Sequence, residues 1–352
     1  MEKKEKIIIG LCIIATIAAG ILHYAEANAV LSFGITGVAL ALLAMIVGDA
    51  TEQLGSRLGP AMTGILQSGL GNLPELFVSI FALRAGLANV VQAALVGSIL
   101  GNSLLVFGLA IFFGGLKNGT QRFKSETPKM IATLMLLAVA ALIIPTLAKE
   151  LHTPAETHID TLDIACAVVL LILLAASIVF SIKGDKAVSP NPNDNEQHAE
   201  WSLGQTIAVL AGAGIGAAFV SEWFVSALEP AMKALNLSET FAGLVVVAIA
   251  GNAIENLIGI QLAWRNQADY AVSVILNSSL QVALGLFPIL VLLSFVLGGS
   301  ILTLVLSPLL VVALALAAIV SAFVVYDGES IWLEGLALVG LYFIIAASFW
   351  WG

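Results

Sequence analysis

The sequence alternates long apolar runs with short polar segments, and eleven of the runs are long enough to cross a membrane. A membrane-spanning helix needs about 20 mostly apolar residues, and backbone that faces lipid must satisfy its own hydrogen bonds, as a helix does. We therefore predict an all-α polytopic membrane protein with about 11 transmembrane helices. The predicted spans are 7–22, 29–48, 61–83, 89–113, 130–148, 161–182, 204–228, 240–263, 271–297, 301–325 and 331–351.

Composition supports a membrane protein and argues against other classes. Of the 352 residues, 60% are hydrophobic and only 11% are charged, whereas soluble domains carry about 25% charged residues. The net charge of −9 argues against binding to a phosphate backbone. We expect a lipid bilayer around the chain, no nucleic-acid partner and no soluble enzyme, and we leave open whether the chain forms a homo-oligomer.

The basic residues predict the orientation in a cytoplasmic membrane. If the N-terminus is inside, eleven of the 14 lysines and arginines fall on the cytoplasmic side and three outside, a strong positive-inside bias. The C-terminus then lies outside. Residues 25–27 resemble a signal-peptidase site, so cleavage there and a retained first helix both stay open.

A repeat of polar motifs relates the two halves of the chain. The segment 71–76, GNLPEL, recurs as GNAIEN at 251–256, and Thr51-Glu52 matches Ser221-Glu222. We predict an N-terminal helix in 1–28, a five-helix repeat in 29–182, an acidic cytoplasmic linker in 183–203 and a second five-helix repeat in 204–352. Because five is odd, the second copy enters the membrane inverted, which is typical of transporters with a midplane site.

Two glutamates occupy matching places inside predicted spans, where ionisable side chains usually have a function. On a regular helix, Glu75 would share a face with Asn72, and Glu255 with Asn252. The neighbouring glycines allow close backbone approach, and Pro74 leaves the carbonyl of residue 70 without its helical donor. The predicted cation- and proton-binding set is Glu75, Glu255, Asn72, Asn252, Gly71, Gly251 and Leu70.

Further oxygen ligands are available on the fourth and ninth spans. Each of these side chains could instead form a helix–helix hydrogen bond. Because they occur in pairs, we give the ligand and the hydrogen-bond interpretations about equal weight. The secondary polar ligands are Ser98, Asn102, Ser278, Gln281 and Gln92.

The ligand types favour calcium as a transported substrate, with no resident cofactor. Hard oxygen ligands suit calcium better than zinc or copper, and two carboxylates balance its charge. Burial and mutual repulsion disfavour the ionised carboxyl, so the empty pair would hold protons that calcium expels. Competition of calcium and protons for one metal-binding pair, Glu75 and Glu255, predicts antiport.

The acidic residues outside the two motifs each allow two interpretations. Glu52 and Glu222 are repeat-related and Asp49 lies one turn before Glu52, so all three are either interfacial residues or parts of a gate and proton path. The linker is either a solvated loop or an acidic patch that attracts cations. Its residues of interest are Asp194, Glu196 and Glu200.

The two motifs are similar to those of cation/proton exchangers of the calcium/cation antiporter superfamily, above all bacterial calcium/proton antiporters. The resemblance covers nearly the whole chain. It implies calcium held by Glu75 and Glu255 with help from the asparagines, sliding of the second and seventh helices, and calcium binding by the linker. Asn256 departs from the pattern, since a histidine often follows the glutamate in this branch.

We therefore predict an antiporter that exports cytoplasmic calcium in exchange for protons. The alternatives are an exchanger that uses sodium or moves another divalent cation such as manganese, an intramembrane enzyme, and a passive channel. An H-E-x-x-H helix or an Asp-rich diphosphate motif would indicate an enzyme, and the sequence contains neither.

Overall fold

The computed structural model describes residues 3–58, 66, 69–124, 126–184 and 201–350, and the described chain is almost entirely helical. The α-helices are α1 (Lys3–Tyr24), α2 (Ala29–Leu58), α3 (Leu73–Arg84), α4 (Ala88–Leu100), α5 (Phe107–Asn118), α6 (Glu126–Glu150), α7 (Ile159–Gly184), α8 (Leu203–Leu235), α9 (Glu239–Phe241), α10 (Ala248–Gly251), α11 (Ala253–Trp264), α12 (Ala268–Gln281), α13 (Phe287–Leu297), α14 (Pro308–Tyr326) and α15 (Trp332–Ser348). Three π-helical segments interrupt the series: π1 (Gly101–Val106), π2 (Ala242–Val247) and π3 (Val282–Leu286). A 3-10 turn covers Pro154–His158, and two short strands are β1 (Gln121–Arg122) and β2 (Glu329–Ser330).

Eight helices of the described chain are long and apolar enough to cross a membrane, so this is a multi-pass membrane protein. They match eight of the eleven predicted spans. The remaining three, 61–83, 240–263 and 331–351, contain shorter helices, and the count of 11 stays a prediction. The eight are Glu5–Tyr24, Ala29–Arg57, Ala88–Asn118, Glu126–Glu150, Pro154–Phe180, Leu203–Leu235, Ala268–Leu297 and Pro308–Tyr326.

The tenth span begins later than the sequence pattern predicts. The helix starts at Pro308 rather than at 301, and Ser307 caps it by accepting the Leu310 N–H. Proline suits the first helical position because it has no N–H to satisfy there. Residues 299–307, before it, form an irregular segment in which Leu302 and Leu304 are buried.

The structure divides into two compact units, the first made of residues 1–81 and 172–235. Its centre is the packing of α2 against α8. Phe33 stacks on Phe224 with ring centroids 4.8 Å apart, and an added Cβ at Gly216 would meet Leu43 at 3.1 Å. Leu43 follows Phe33 along α2, whereas its neighbour Gly216 precedes Phe224 along α8. The two helices therefore run antiparallel.

The buried Trp201, which precedes α8, forms hydrogen bonds with residues of α1 and α2 in this first unit. The Trp201 indole N–H donates to Glu5 of α1 at 3.0 Å, and its backbone carbonyl accepts from the Arg57 guanidinium near the end of α2. Its backbone N–H donates to Gln53 at 3.4 Å. These hydrogen bonds fix the position of the chain just before α8 begins.

The second unit contains residues 82–171 and 236–352. Its tightest crossing brings α4 against π2. A Cβ added to Gly97 would lie 2.2 Å from the Leu244 carbonyl oxygen, and one added to Gly243 would lie 2.4 Å from the Val90 carbonyl oxygen. Only glycine lets the two backbones approach so closely. At another edge of this unit, β1 and β2 form an antiparallel ribbon.

Candidate functional site

The first motif forms the start of a helix. Gly71 and Asn72 lie in a turn, and α3 begins at Leu73. The Asn72 carbonyl accepts the Leu76 N–H at 2.9 Å, so Asn72 precedes the first helical turn. Asn72 therefore lies in the turn that leads into α3, and its sharing of a helix face with Glu75 stays a prediction.

Both polar side chains of this motif are buried within the first unit. Glu75 lies in the first turn of α3 and is 2% exposed, and Asn72 is also buried. The motif therefore places an acidic group where water is largely excluded.

The second motif interrupts its helix in the same way. Asn252 has φ −106° and ψ 18°, between α10, which ends at Gly251, and α11. It too lies in a turn, so the helix is not continuous through the motif, and its sharing of a face with Glu255 stays a prediction. The backbone of Glu255 lies in the first turn of α11, and its side chain is outside the described part of the structure.

Two hydrogen bonds between an asparagine amide and a serine hydroxyl lie within the second unit. The amide of Asn252 donates to the Ser98 hydroxyl at 2.9 Å, and the amide of Asn102 donates to the Ser278 hydroxyl at 2.9 Å. Each pair joins one half of the sequence to the other, and all four side chains are buried. The structure thus joins four of the predicted ligands in two pairs.

The orientation of Asn252 has a chemical consequence. Its amide nitrogen is used twice, since it also donates to the Ala248 carbonyl at 3.0 Å. Its Oδ1 atom is buried and accepts no hydrogen bond from the described residues. The side chain is 3% exposed, so the second motif itself holds a buried oxygen acceptor in place.

Other predicted ligands have different outcomes. The Gln92 amide donates to the carbonyls of Thr303 and Val305, at 2.8 Å and 3.1 Å. Its nitrogen thus binds the irregular segment 299–307, so its observed contacts are structural. Gln281 is buried at the end of α12, and the role of the Leu70 carbonyl stays a prediction.

The acidic residues outside the motifs lie on two helices of the first unit. Glu52 on α2 and Glu222 on α8 are exposed, and Asp49 is half-buried. Exposure is compatible with both interpretations, interfacial position and gate. Asp194, Glu196 and Glu200 lie outside the described residues.

The sequence pattern missed one buried carboxylate. Asp163 on α7 is 1% exposed, and its Oδ2 atom accepts the Leu304 N–H at 3.1 Å. The Thr146 hydroxyl donates to the Leu304 carbonyl at 3.1 Å and accepts the Leu306 N–H at 2.9 Å. Together with Gln92, these side chains form hydrogen bonds with backbone groups of residues 303–306. The available signal was an acidic residue just inside the span predicted at 161–182.

We expect Asp163→Ala to destabilise the folded protein by about 1–3 kcal/mol, because it leaves the buried Leu304 N–H without an acceptor. Asp163→Asn keeps an acceptor oxygen in the same place and is the matched control. Thermal unfolding in detergent measures both variants. Equal melting temperatures for the alanine and asparagine variants would show that the hydrogen bond contributes nothing.

Comparison with known proteins identifies the family. The model of the sodium/calcium exchanger protein family matches residues 28–183 and 205–351. A Ca(2+)/H(+) antiporter of Aphanothece halophytica is 32% identical over 373 residues, covering 99% of this chain and 97% of that protein. The Ca(2+)/H(+) antiporter ChaA of Bacillus subtilis (strain 168) is 33% identical over 346 residues, covering 95% of each.

A solved structure agrees with these matches. The structure of native YfkE superposes with a TM-score of 0.84 at 30% identity, covering 97% of this chain and 99% of that one. The matched regions include both motifs and leave out the central linker. The chain belongs to the sodium/calcium exchanger protein family.

Proposed function

We propose that this protein is a secondary active antiporter that exports cytoplasmic calcium in exchange for protons. Its relatives at 32–33% identity over nearly the whole chain are Ca(2+)/H(+) antiporters. The observation on the chain itself that carries the proposal is the Asn252 Oδ1 atom, a buried acceptor oxygen in the same motif as Glu255. Calcium takes six to eight oxygen ligands, and such an oxygen suits it.

The proposed site consists of the two repeat-related glutamates and the asparagines three residues before them. Glu75 and Glu255 would supply the charge that balances calcium, and Asn72 and Asn252 would supply neutral oxygens. Buried carboxyls bind protons more readily than exposed ones. Calcium and protons would therefore exclude each other from the pair, which is the condition for coupled exchange.

The proposed orientation places the N-terminus and the linker in the cytoplasm and the C-terminus outside. The distribution of basic residues, eleven inside and three outside, supports it. Each of the two five-helix repeats would form one half of an alternating-access transporter. Glu52, Glu222 and Asp49 would then lie on the helices that open and close the path.

Uptake of calcium by everted membrane vesicles tests the function. Acidifying the vesicle interior should drive calcium uptake in a sodium-free buffer, and collapsing the pH gradient should stop it. Uptake that requires a sodium gradient instead would indicate a sodium/calcium exchanger, and preferential uptake of manganese would change the substrate. A passive channel would only equilibrate calcium across the membrane.

The linker is proposed to assist by attracting calcium. Neutralising Asp194, Glu196 and Glu200 together should weaken the calcium dependence of uptake without stopping turnover, because the transport site is elsewhere. The apparent KM for calcium in the vesicle assay measures this. Complete loss of transport at saturating calcium would contradict an assisting role.

A further inference from the structure

Two of the π-helical segments lie at matching places in the sequence repeat. The Phe107 N–H donates to the Asn102 carbonyl, and the Phe287 N–H donates to the Val282 carbonyl, each five residues back. Phe107 and Phe287 are 180 residues apart, the same offset that relates the two glutamate motifs. Since π-helical turns are rare and concentrate at functional sites, their repetition indicates a shared role.

The π turn changes which carbonyl needs a partner. In a regular α-helix the Phe107 N–H would donate to the Ser103 carbonyl, four residues back. Here the Ser103 carbonyl accepts the Ser321 hydroxyl at 3.0 Å. Ser321 lies on α14, is 4% exposed and belongs to neither motif. A side chain from another helix thus supplies a donor where the π turn has redirected the backbone bond.

The bond from Ser321 lies next to one of the amide–hydroxyl pairs. Asn102 directly precedes Ser103 in π1, and its side chain donates to Ser278. A return of π1 to α-helical register would rotate its residues by about 100° relative to one end of the helix. That rotation would carry the Asn102 amide away from the Ser278 hydroxyl. The Ser321 bond therefore favours the register in which the pair forms.

We propose that Ser321 is a positioning residue for cation binding, acting through the register of π1 on the Asn102–Ser278 pair. This inference rests on the proposed function for the identity of the cation. Ser321 touches the backbone of π1 rather than a motif residue, so its effect on calcium must pass through Asn102. An ordinary helix–helix hydrogen bond would instead affect stability alone.

The test compares Ser321→Ala with a matched serine variant. Ser294 is also buried, at 3% exposure, but its hydroxyl donates within its own helix to the Val291 carbonyl at 2.7 Å. Equilibrium binding of radioactive calcium to the purified protein gives Kd. We expect Ser321→Ala to raise Kd about three- to tenfold, and Ser294→Ala to leave it unchanged. Ser321→Thr keeps a hydroxyl and should restore Kd toward the wild-type value.

A double-mutant cycle with Ser278→Ala tests the route. If Ser321 acts through the Asn102–Ser278 pair, the effects on Kd must be non-additive. An unchanged Kd in Ser321→Ala, or additive effects, would overturn the proposal. Should Ser321→Ala fail to fold, Ser321→Cys takes its place: its thiol is a much weaker donor than a hydroxyl, so Kd should still rise, and an unchanged Kd would overturn the proposal.

The wild-type protein separates this inference from the proposed function. Calcium binding without proton-driven uptake would contradict the antiport, while the Kd comparison would still decide the role of Ser321. An absence of calcium binding by the wild type would overturn the proposed function and the ligand named here. Normal antiport with equal Kd values for Ser321→Ala and Ser294→Ala would overturn only the positioning role.

Discussion

Glu75→Gln is expected to abolish proton-driven calcium transport while the protein still inserts into the membrane. Glutamine has nearly the same size and shape, so the buried position at the start of α3 stays filled. It has no charge to balance calcium and cannot carry a proton in exchange. Initial rates of uptake into acid-loaded everted vesicles, divided by the amount of protein in the membrane, measure the effect.

The same change at Glu255 should have the same result, because the two residues are related by the repeat. Glu229→Gln is the matched control, since Glu229 is exposed and pairs with Lys233 one turn away at 2.6 Å. Exposed pairs of this kind contribute little, so this variant should transport normally. Near-normal uptake by either buried-motif variant would remove that glutamate from the mechanism.

Gly97→Ala is expected to lower the stability of the folded protein strongly. The new Cβ would lie 2.2 Å from the Leu244 carbonyl oxygen and 2.6 Å from the Leu244 Cα. Both contacts are with backbone, so α4 and π2 must move apart. Overpacking of this kind costs about 1–3 kcal/mol and occasionally more. The shift would also displace the neighbouring Ser98 from Asn252.

Gly101→Ala is the control for this change, because it lies one turn further along the same run of helix and an added Cβ meets nothing within 4 Å. Alanine in a compatible helical position stabilises by about 0.4–1 kcal/mol, so this variant should unfold at the wild-type temperature or slightly above it. Thermal unfolding in detergent compares the two. Equal melting temperatures of the two variants would show that α4 and π2 can move apart without loss of stability.

The apolar pattern predicted most of the spans because burial in lipid imposes a long, uniform signal on the sequence. It failed where an apolar run is buried without being helical, because a buried irregular segment and a helix are equally apolar. Residues 301–306 are apolar enough for a helix, yet they are irregular until Ser307 and Pro308 begin α14. Buried backbone outside a helix needs other hydrogen-bond partners, and Gln92, Thr146 and Asp163 provide them.

The motif residues were predicted from their repetition, but their local geometry was not. A regular helix was the simplest expectation, whereas Asn72 and Asn252 lie in turns. A π turn differs from an α turn by one residue in the donor–acceptor spacing, and no residue type marks it reliably. The partnership of Ser321 with Ser103 joins positions 218 residues apart, which sequence spacing cannot indicate.

The sequence by itself determined the membrane class, the duplicated acidic motifs and the kinds of atoms that the candidate site offers. These properties follow from composition and from recurrence along the chain. The tertiary structure decided which amide donates to which hydroxyl and where the helices break, leaving the Asn252 Oδ1 atom without a donor among the described residues. A hydrogen bond depends on distance and direction in space, and those are properties of packing rather than of order along the chain.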